Sequence, residues 1–304
     1  MLNKRITCKI KNHKFYLLSV MLVAFLLVIV TPANSNALTK GLTISPLRSE
    51  LNIAPGTSLE KNIRITNSTD VSMVIDLGVE EFNVINQRYD YVFTKDSDVT
   101  KWVYFDDDII NLSAGESRDV SFTIGVPLSA EPGGRYISMF AGTNVKNNGG
   151  MVNSVQRVAS LLYLTVVGDV TRSGELVSLS SPWLIDNKTK WSAVLKNTGS
   201  THFHSRYNIS IKNIFNNKTI ANLSGDSMIL PNTLRSISNQ MPAITFPGIY
   251  RAVFMVGLGD SPAFLQTKYV IYSPSIFFYI IIVSIFFVIS LYIIKKIKRH
   301  KKAS

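Results

Sequence analysis

The stretch PGGRYISMFAGT (132–143) sets a proline and two glycines directly before a run of alternating side chains. Ile137, Met139 and Ala141 fall on one side of an extended chain; Tyr136, Ser138 and Phe140 fall on the other. Alternation of this kind reads as a strand. A proline before it stops ladder pairing, and glycine permits backbone angles that a side chain resists. The same arrangement recurs as FPGIYRAVFMVGLG (246–259), so the turn belongs to fold construction rather than to chemistry.

Working outward, other segments recur in the same order. IRITNSTD (63–70) is answered by AVLKNTGS (193–200), and INLSAGESRDVSFTI (110–124) by MILPNTLRSISNQM (228–241). The first pair is offset by 130 residues (Asn67 to Asn197) and the last by 114 (Tyr136 to Tyr250). The first copy is therefore the longer one, with its extra residues expected in 83–108. Period-two patterns run through Leu59, Ile63 and Ile65; through Val71, Met73, Ile75, Leu77 and Val79; and through Val120, Phe122, Ile124 and Val126. Turn clusters separate them at 54–57, 67–70, 113–117 and 129–134. RVASLLYLTVVGDV (157–170) is apolar on both parities, as a central strand should be, and 168–175 turns polar like a link. The expectation is an all-β chain of two tandem immunoglobulin-like β-sandwiches, 38–170 and 171–273.

The ends read differently. Lys4, Arg5, Lys9, Lys11 and Lys14 precede an apolar run (15–30) and a small-residue site at Ser35 and Ala37. That is the plan of a signal peptide, 1–37. Residues 276–294 are 19 in number and carry no charge, enough for a bilayer's hydrocarbon core. A membrane helix is thus expected over 274–294, contacting lipid through 276–294 and followed by a basic tail, 295–304. The positive-inside rule keeps that tail cytoplasmic and puts 38–275 outside, as a single-pass plasma-membrane protein. Of the net charge of +12, five units lie in the signal and six in the tail, leaving +1 between them. The high pI therefore belongs to targeting and anchoring, and no nucleic-acid partner is expected. The sole cysteine, Cys8, lies in the signal, so the outer part has no disulfide and no thiol nucleophile.

Candidate chemistry is sparse. His202 and His204 stand two apart, which on a strand puts both on one face; with no carboxylate near in sequence they read as exposed edge histidines. Asp96, Asp98, Asp106, Asp107 and Asp108 form an acidic loop that lacks the glycine and glutamate of a calcium-binding hand, so a solvated loop is the expectation. No catalytic constellation, cofactor site or metal site is expected. Trp102, Tyr104, Asp106, Asp107 and Asp108 are the candidate binding residues, with Trp102 and Tyr104 sharing one face of KWVYF (101–105). Trp183 and Trp191 are read as packing. Six Asn-X-Ser/Thr sequons occur, at Asn67, Asn111, Asn187, Asn208, Asn217 and Asn222.

The segments ISPLRSELNIAPGTSLEKNIRITNSTD (44–70), KWVYFDDDIINLSAGESRDVSFTIGVP (101–127), PGGRY (132–136) and ASLLYLTVVGDV (159–170) resemble bacterial WxL-interacting proteins and related surface proteins. The resemblance implies a non-enzymatic, membrane-anchored surface protein whose first domain is associated with peptidoglycan binding and whose second is associated with partner or host binding. The first sandwich is then expected to contact cell-wall polymer or another surface protein. An alternative is an accessory subunit of a membrane or secretion assembly.

Overall fold

In the first half, inward residues on alternating strands build two facing sheets. The computed structural model describes residues 41–143, 156–273, 279–280, 282–287 and 289–290. Strands β1 (Leu42–Ser45), β3 (Ser58–Asn67), β8 (Ser117–Gly125) and β6 (Val103–Phe105) form one sheet in the order β1-β3-β8-β6. Strands β2 (Arg48–Ile53), β10 (Arg157–Val166), β9 (Gly133–Thr143), β4 (Met73–Val84) and β5 (Tyr91–Thr94) form the other in that order, and β7 (Ile109–Leu112) also pairs with β4. Ile63, Ile65, Phe122 and Ile124 from the first sheet meet Ile75, Ile137, Met139 and Leu164 from the second in one core. Val71 departs from the sequence expectation: it precedes β4 and is exposed.

The second half repeats this plan. Strands β11 (Gly174–Ser180), β13 (Lys190–Asn197) and β16 (Leu234–Gln240) form one sheet. Strands β12 (Leu184–Ile185), β18 (Ser261–Tyr272), β17 (Gly248–Leu258), β14 (Phe203–Asn213) and β15 (Thr219–Ile229) form the other in that order. Strand for strand, β1-β3-β8 corresponds to β11-β13-β16, and β2-β10-β9-β4 to β12-β18-β17-β14. The match extends to the one parallel pairing in each half, β2 with β10 and β12 with β18. β15 runs unbroken along β14, whereas β4 meets two short strands, β7 at Met73–Asp76 and β5 at Glu81–Val84. The chain between these two leaves to form a 3-10 turn (Thr100–Trp102) and β6, which has no counterpart in the second half. The extra length expected in 83–108 is this excursion.

Two buried asparagines hold the repeated turns. Asn67 Nδ2 donates to the carbonyls of Val71, Leu112 and Ser113, and its Oδ1 accepts from Thr69. Asn197 Nδ2 donates to the carbonyls of Thr201 and Ile229, and its Oδ1 accepts from Gly199 N–H. Both side chains are fully buried. A buried amide in such a network ties a strand end to the opposite edge of its sandwich. It also removes Asn67 from the sequons open to modification.

The expected signal segment, 1–37, lies outside the described residues, as do nine residues of 276–294 and the tail. Residues 279–280, 282–287 and 289–290 are helical, and no helix among the described residues is long and apolar enough by itself to cross a membrane.

Asn67→Ala and Asn197→Ala should each destabilise the segment 38–273 by about 2–4 kcal/mol, because each strands several buried carbonyls. Urea unfolding measures this; a loss below about 1 kcal/mol for either would show the network to be dispensable.

Candidate functional site

The two sandwiches meet over an aromatic face. On the second sheet of the first half, side chains pointing away from its own core include Phe82, Tyr136 and Tyr163, yet all three are buried, because the second half covers them. Phe82 packs edge-on against Tyr163, with centroids 5.3 Å apart, and Tyr136 against Tyr163 at 5.7 Å. Tyr136 lies over Gly134, where a Cβ would sit 2.1 Å from its hydroxyl, so any larger residue at this position in PGGRY would displace the Tyr136 ring. A second contact comes from the turn between β4 and β5. Tyr89, at φ +68°, enters the second half; its hydroxyl accepts from Leu230 N–H at 2.7 Å and lies 2.9 Å from Thr233 Oγ1. The Arg235 guanidinium covers its ring at 4.2 Å. Backbone bonds close the seam: Gly134 N–H to Ser200 O, and Ser236 N–H to Gln87 O. Burial pushes the Tyr89, Tyr136 and Tyr163 hydroxyls above the ordinary tyrosine range.

At one side of this seam lies a cleft of about 450 Å³, lined among others by Glu50, Asn52, Arg172, His202, His204 and Arg206. Alternation along β2 puts Arg48, Glu50 and Asn52 on one face, of which Glu50 and Asn52 line the cleft. The histidines are not exposed edge residues. His202 precedes β14 and is 8% exposed, packed edge-on against Tyr136 and Tyr163 at 5.6 Å each. His204 is the second residue of β14, half-buried, with Nδ1 2.6 Å from Asp226 and Nε2 3.0 Å from Glu50. The sequence offered no carboxylate near the pair, because Glu50 stands 154 residues away and Asp226 arrives on β15. Burial foremost lowers the His202 pKa to about 4; His204, Arg172 and Arg48 add to the lowering and Glu50 opposes it. His202 is thus neutral at pH 7, its Nδ1 3.3 Å from the Tyr136 hydroxyl.

Arg172 and Arg206, which line the cleft, differ from the neighbouring Arg48. Arg48 pairs with Glu50 at 2.8 Å, but the guanidinium groups of Arg172 and Arg206 make no hydrogen bond or ion pair with the described residues. Thr171 and Ser173, on either side of Arg172, are fixed by backbone bonds to 198–201, which holds Arg172 at the cleft wall. Ser205 Oγ donates to Gly257 O at 2.7 Å, so it is committed to structure. Among the described residues no three His, Cys, Asp or Glu side chains are placed to hold a metal ion. The arrangement can receive an anionic group; it assembles no activated nucleophile.

The sequence-derived candidates lie elsewhere. Val103 and Phe105 of β6 are buried and Tyr104 is 55% exposed. Trp102 ends the 3-10 turn, half-buried against the first core, with Arg135 5.8 Å from its ring centroid. It therefore does not share the face of Tyr104, because the strand begins after it. Asp106, Asp107 and Asp108 are exposed in the connection to β7. Trp191 is core, beside Tyr207 and Phe254, as its packing role required, whereas Trp183 is exposed.

No protein-family model matches the chain, and no curated protein matches it. Among solved structures, the chaperone–tip adhesin complex of CFA/I fimbriae is similar at 11% identity and a TM-score of 0.41, over 77% of this chain and 100% of that one. The class 5 fimbriae chaperone CfaA is similar at 12% identity and 0.41, over 75% and 99%. The Salmonella enterica SafA pilin–SafB chaperone complex follows at 12% and 0.38, over 75% and 96%. Likeness at this level concerns general β-sandwich architecture and gives this chain no partner.

His202 also generates a pH dependence. Its folded pKa lies below the unfolded value, so between pH 6.5 and about 4 the unfolded chain binds the proton first and stability falls as pH falls. The loss attributable to His202 should be roughly 2–3 kcal/mol between pH 7 and pH 4. Unfolding of the parent and of His202→Gln at both pH values measures it; an equal loss in the two proteins would remove His202 as the cause.

Proposed function

We propose that the chain is a non-enzymatic, single-pass surface protein that binds an anionic group of cell-wall polymer in the cleft between its sandwiches. The observation that carries this reading is the pair of guanidinium groups, Arg172 and Arg206, that have no partner among the described residues and stand on the wall of a cleft otherwise fixed by the aromatic seam. A guanidinium suits carboxylate or phosphate because its donors form a rigid fork. Asn52 adds an amide to the same wall. The uncharged run 276–294 and the basic residues after it supply the anchor, and the resemblance of 44–170 to WxL-interacting proteins points to wall polymer as the ligand class. The exposed Tyr104 and Asp106–Asp108 form a separate surface of the first sandwich, available to another surface protein.

Detergent-solubilised full chain should sediment with isolated cell walls at low salt. Arg172→Gln combined with Arg206→Gln should weaken retention on the order of ten-fold, in line with loss of charge-assisted hydrogen bonds. Unchanged retention in that variant would contradict the cleft as the site. Loss in Tyr104→Ala with Asp107→Asn instead would move the site to the β6 surface.

A further inference from the structure

Several of the large apolar side chains that remain exposed in the second sandwich collect at one end of it. Phe215, in the turn between β14 and β15, is 90% exposed; Phe246, before β17, 73%; Trp183, before β12, 67%. Leu184, Ile249 and Ile271 join them, all more than a third exposed. Strand register places them together: Ile249 faces Ile271, Leu184 faces Ile271, and Trp183 O accepts from Ile271 N–H at 2.7 Å. The pairing of Asn213 with Tyr250, and of Gly248 with Tyr272, brings the turn carrying Phe215 to that same end. Single exposed apolar residues are ordinary, but a contiguous group marks a contact surface.

The position of the group identifies what covers it. Tyr272, the last residue of β18, is at this end, and the uncharged run begins at Ile276. Four residue steps reach at most about 14 Å. The headgroup zone on each side of a bilayer is roughly 5–7 Å deep, so a segment entering the bilayer at 276 holds this end at the lipid surface. Basic side chains accompany the apolar ones: Lys212 faces Arg251 across β14 and β17, Arg251 bonds Asn217, and Lys188 and Lys218 lie in the adjoining turns. Asp186 is the acidic residue among them. Trp and Phe beside lysine and arginine suit the boundary between acyl chains and anionic headgroups.

We propose that this end of the second sandwich is a lipid-contact surface that seats the body on the bilayer, with Trp183, Phe215 and Phe246 in the interfacial layer. The proposal rests on reading 276–294 as the membrane span. It goes beyond anchoring, since it fixes which end of the second sandwich meets the membrane and leaves the cleft at the opposite end of β14 facing outward.

Full chain reconstituted in phosphatidylcholine–phosphatidylglycerol vesicles tests it, with flotation after alkaline carbonate extraction as the control for anchoring. Lipids carrying a spin label near the headgroup should quench the Trp183 emission, taken as the difference between parent and Trp183→Phe, by about two-fold. Phe215→Trp in the Trp183→Phe background should restore that quenching. Chain that floats but shows no quenching at either position overturns the lipid-contact surface and leaves the anchor standing. Chain that does not float overturns the anchor, and the lipid-contact surface with it.

Discussion

The burial of Phe82, Tyr89, Tyr136 and Tyr163 against the second half is the contact on which the rest of the structure depends. These residues belong by sequence to the first sandwich, yet they join the core cluster of the second. Each aromatic ring removes about 150–250 Å² from water when buried. Left uncovered, the group would be a large exposed apolar face on the first sandwich. Tyr89 reaches furthest, and its hydroxyl replaces a partner that Leu230 N–H would otherwise lack. The cleft exists because this seam holds β2 and β14 at a fixed separation. Arg172 lies in the connection between the halves, where Thr171 accepts from Ser200 and Thr201.

The two halves share one topology, which gives the seam its asymmetry. Tyr250 occupies in β17 the place of Tyr136 in β9, but its hydroxyl donates to Phe246 O within its own half, 2.8 Å away. Tyr136 faces His202 instead. One tyrosine thus closes a local turn while its equivalent joins two sandwiches. The equivalence of Asn67 and Asn197 is closer, since both serve the same turn in the same way. Where the halves differ, the cause is the excursion between β5 and β7, which interrupts an edge strand to add β6 to the opposite sheet.

Much of this was legible in the sequence because strands report burial with a period of two. Ile137, Met139 and Ala141 are fully buried on the side that alternation assigned to them. The order of repeated segments gave the repeat of topology, and the difference in offsets located the excursion. Alternation also put Tyr136 and Phe140 on the opposite side, but it could not say that this side too is buried, since the covering surface comes from another part of the chain. The histidines failed for the same reason: Glu50, Asp226 and the two tyrosines reach them through tertiary packing alone. The cleft arginines had no signal at all. Trp102 was misplaced by a local effect, because a 3-10 turn shifts the phase just before β6.

The most direct measurement is whether the seam makes the two sandwiches unfold as one. In the segment 38–273, Trp102 reports the first core and Trp191 the second. Two variants isolate them: Trp183→Phe with Trp191→Phe, and Trp102→Phe with Trp183→Phe. Urea unfolding followed by fluorescence in each should agree with the far-ultraviolet circular dichroism of the same variant as a single transition. In both, Tyr89→Ala should separate the fluorescence and dichroism midpoints. Transitions already separated with Tyr89 in place, or still coincident after Tyr89→Ala, would contradict the seam as the contact that organises this protein.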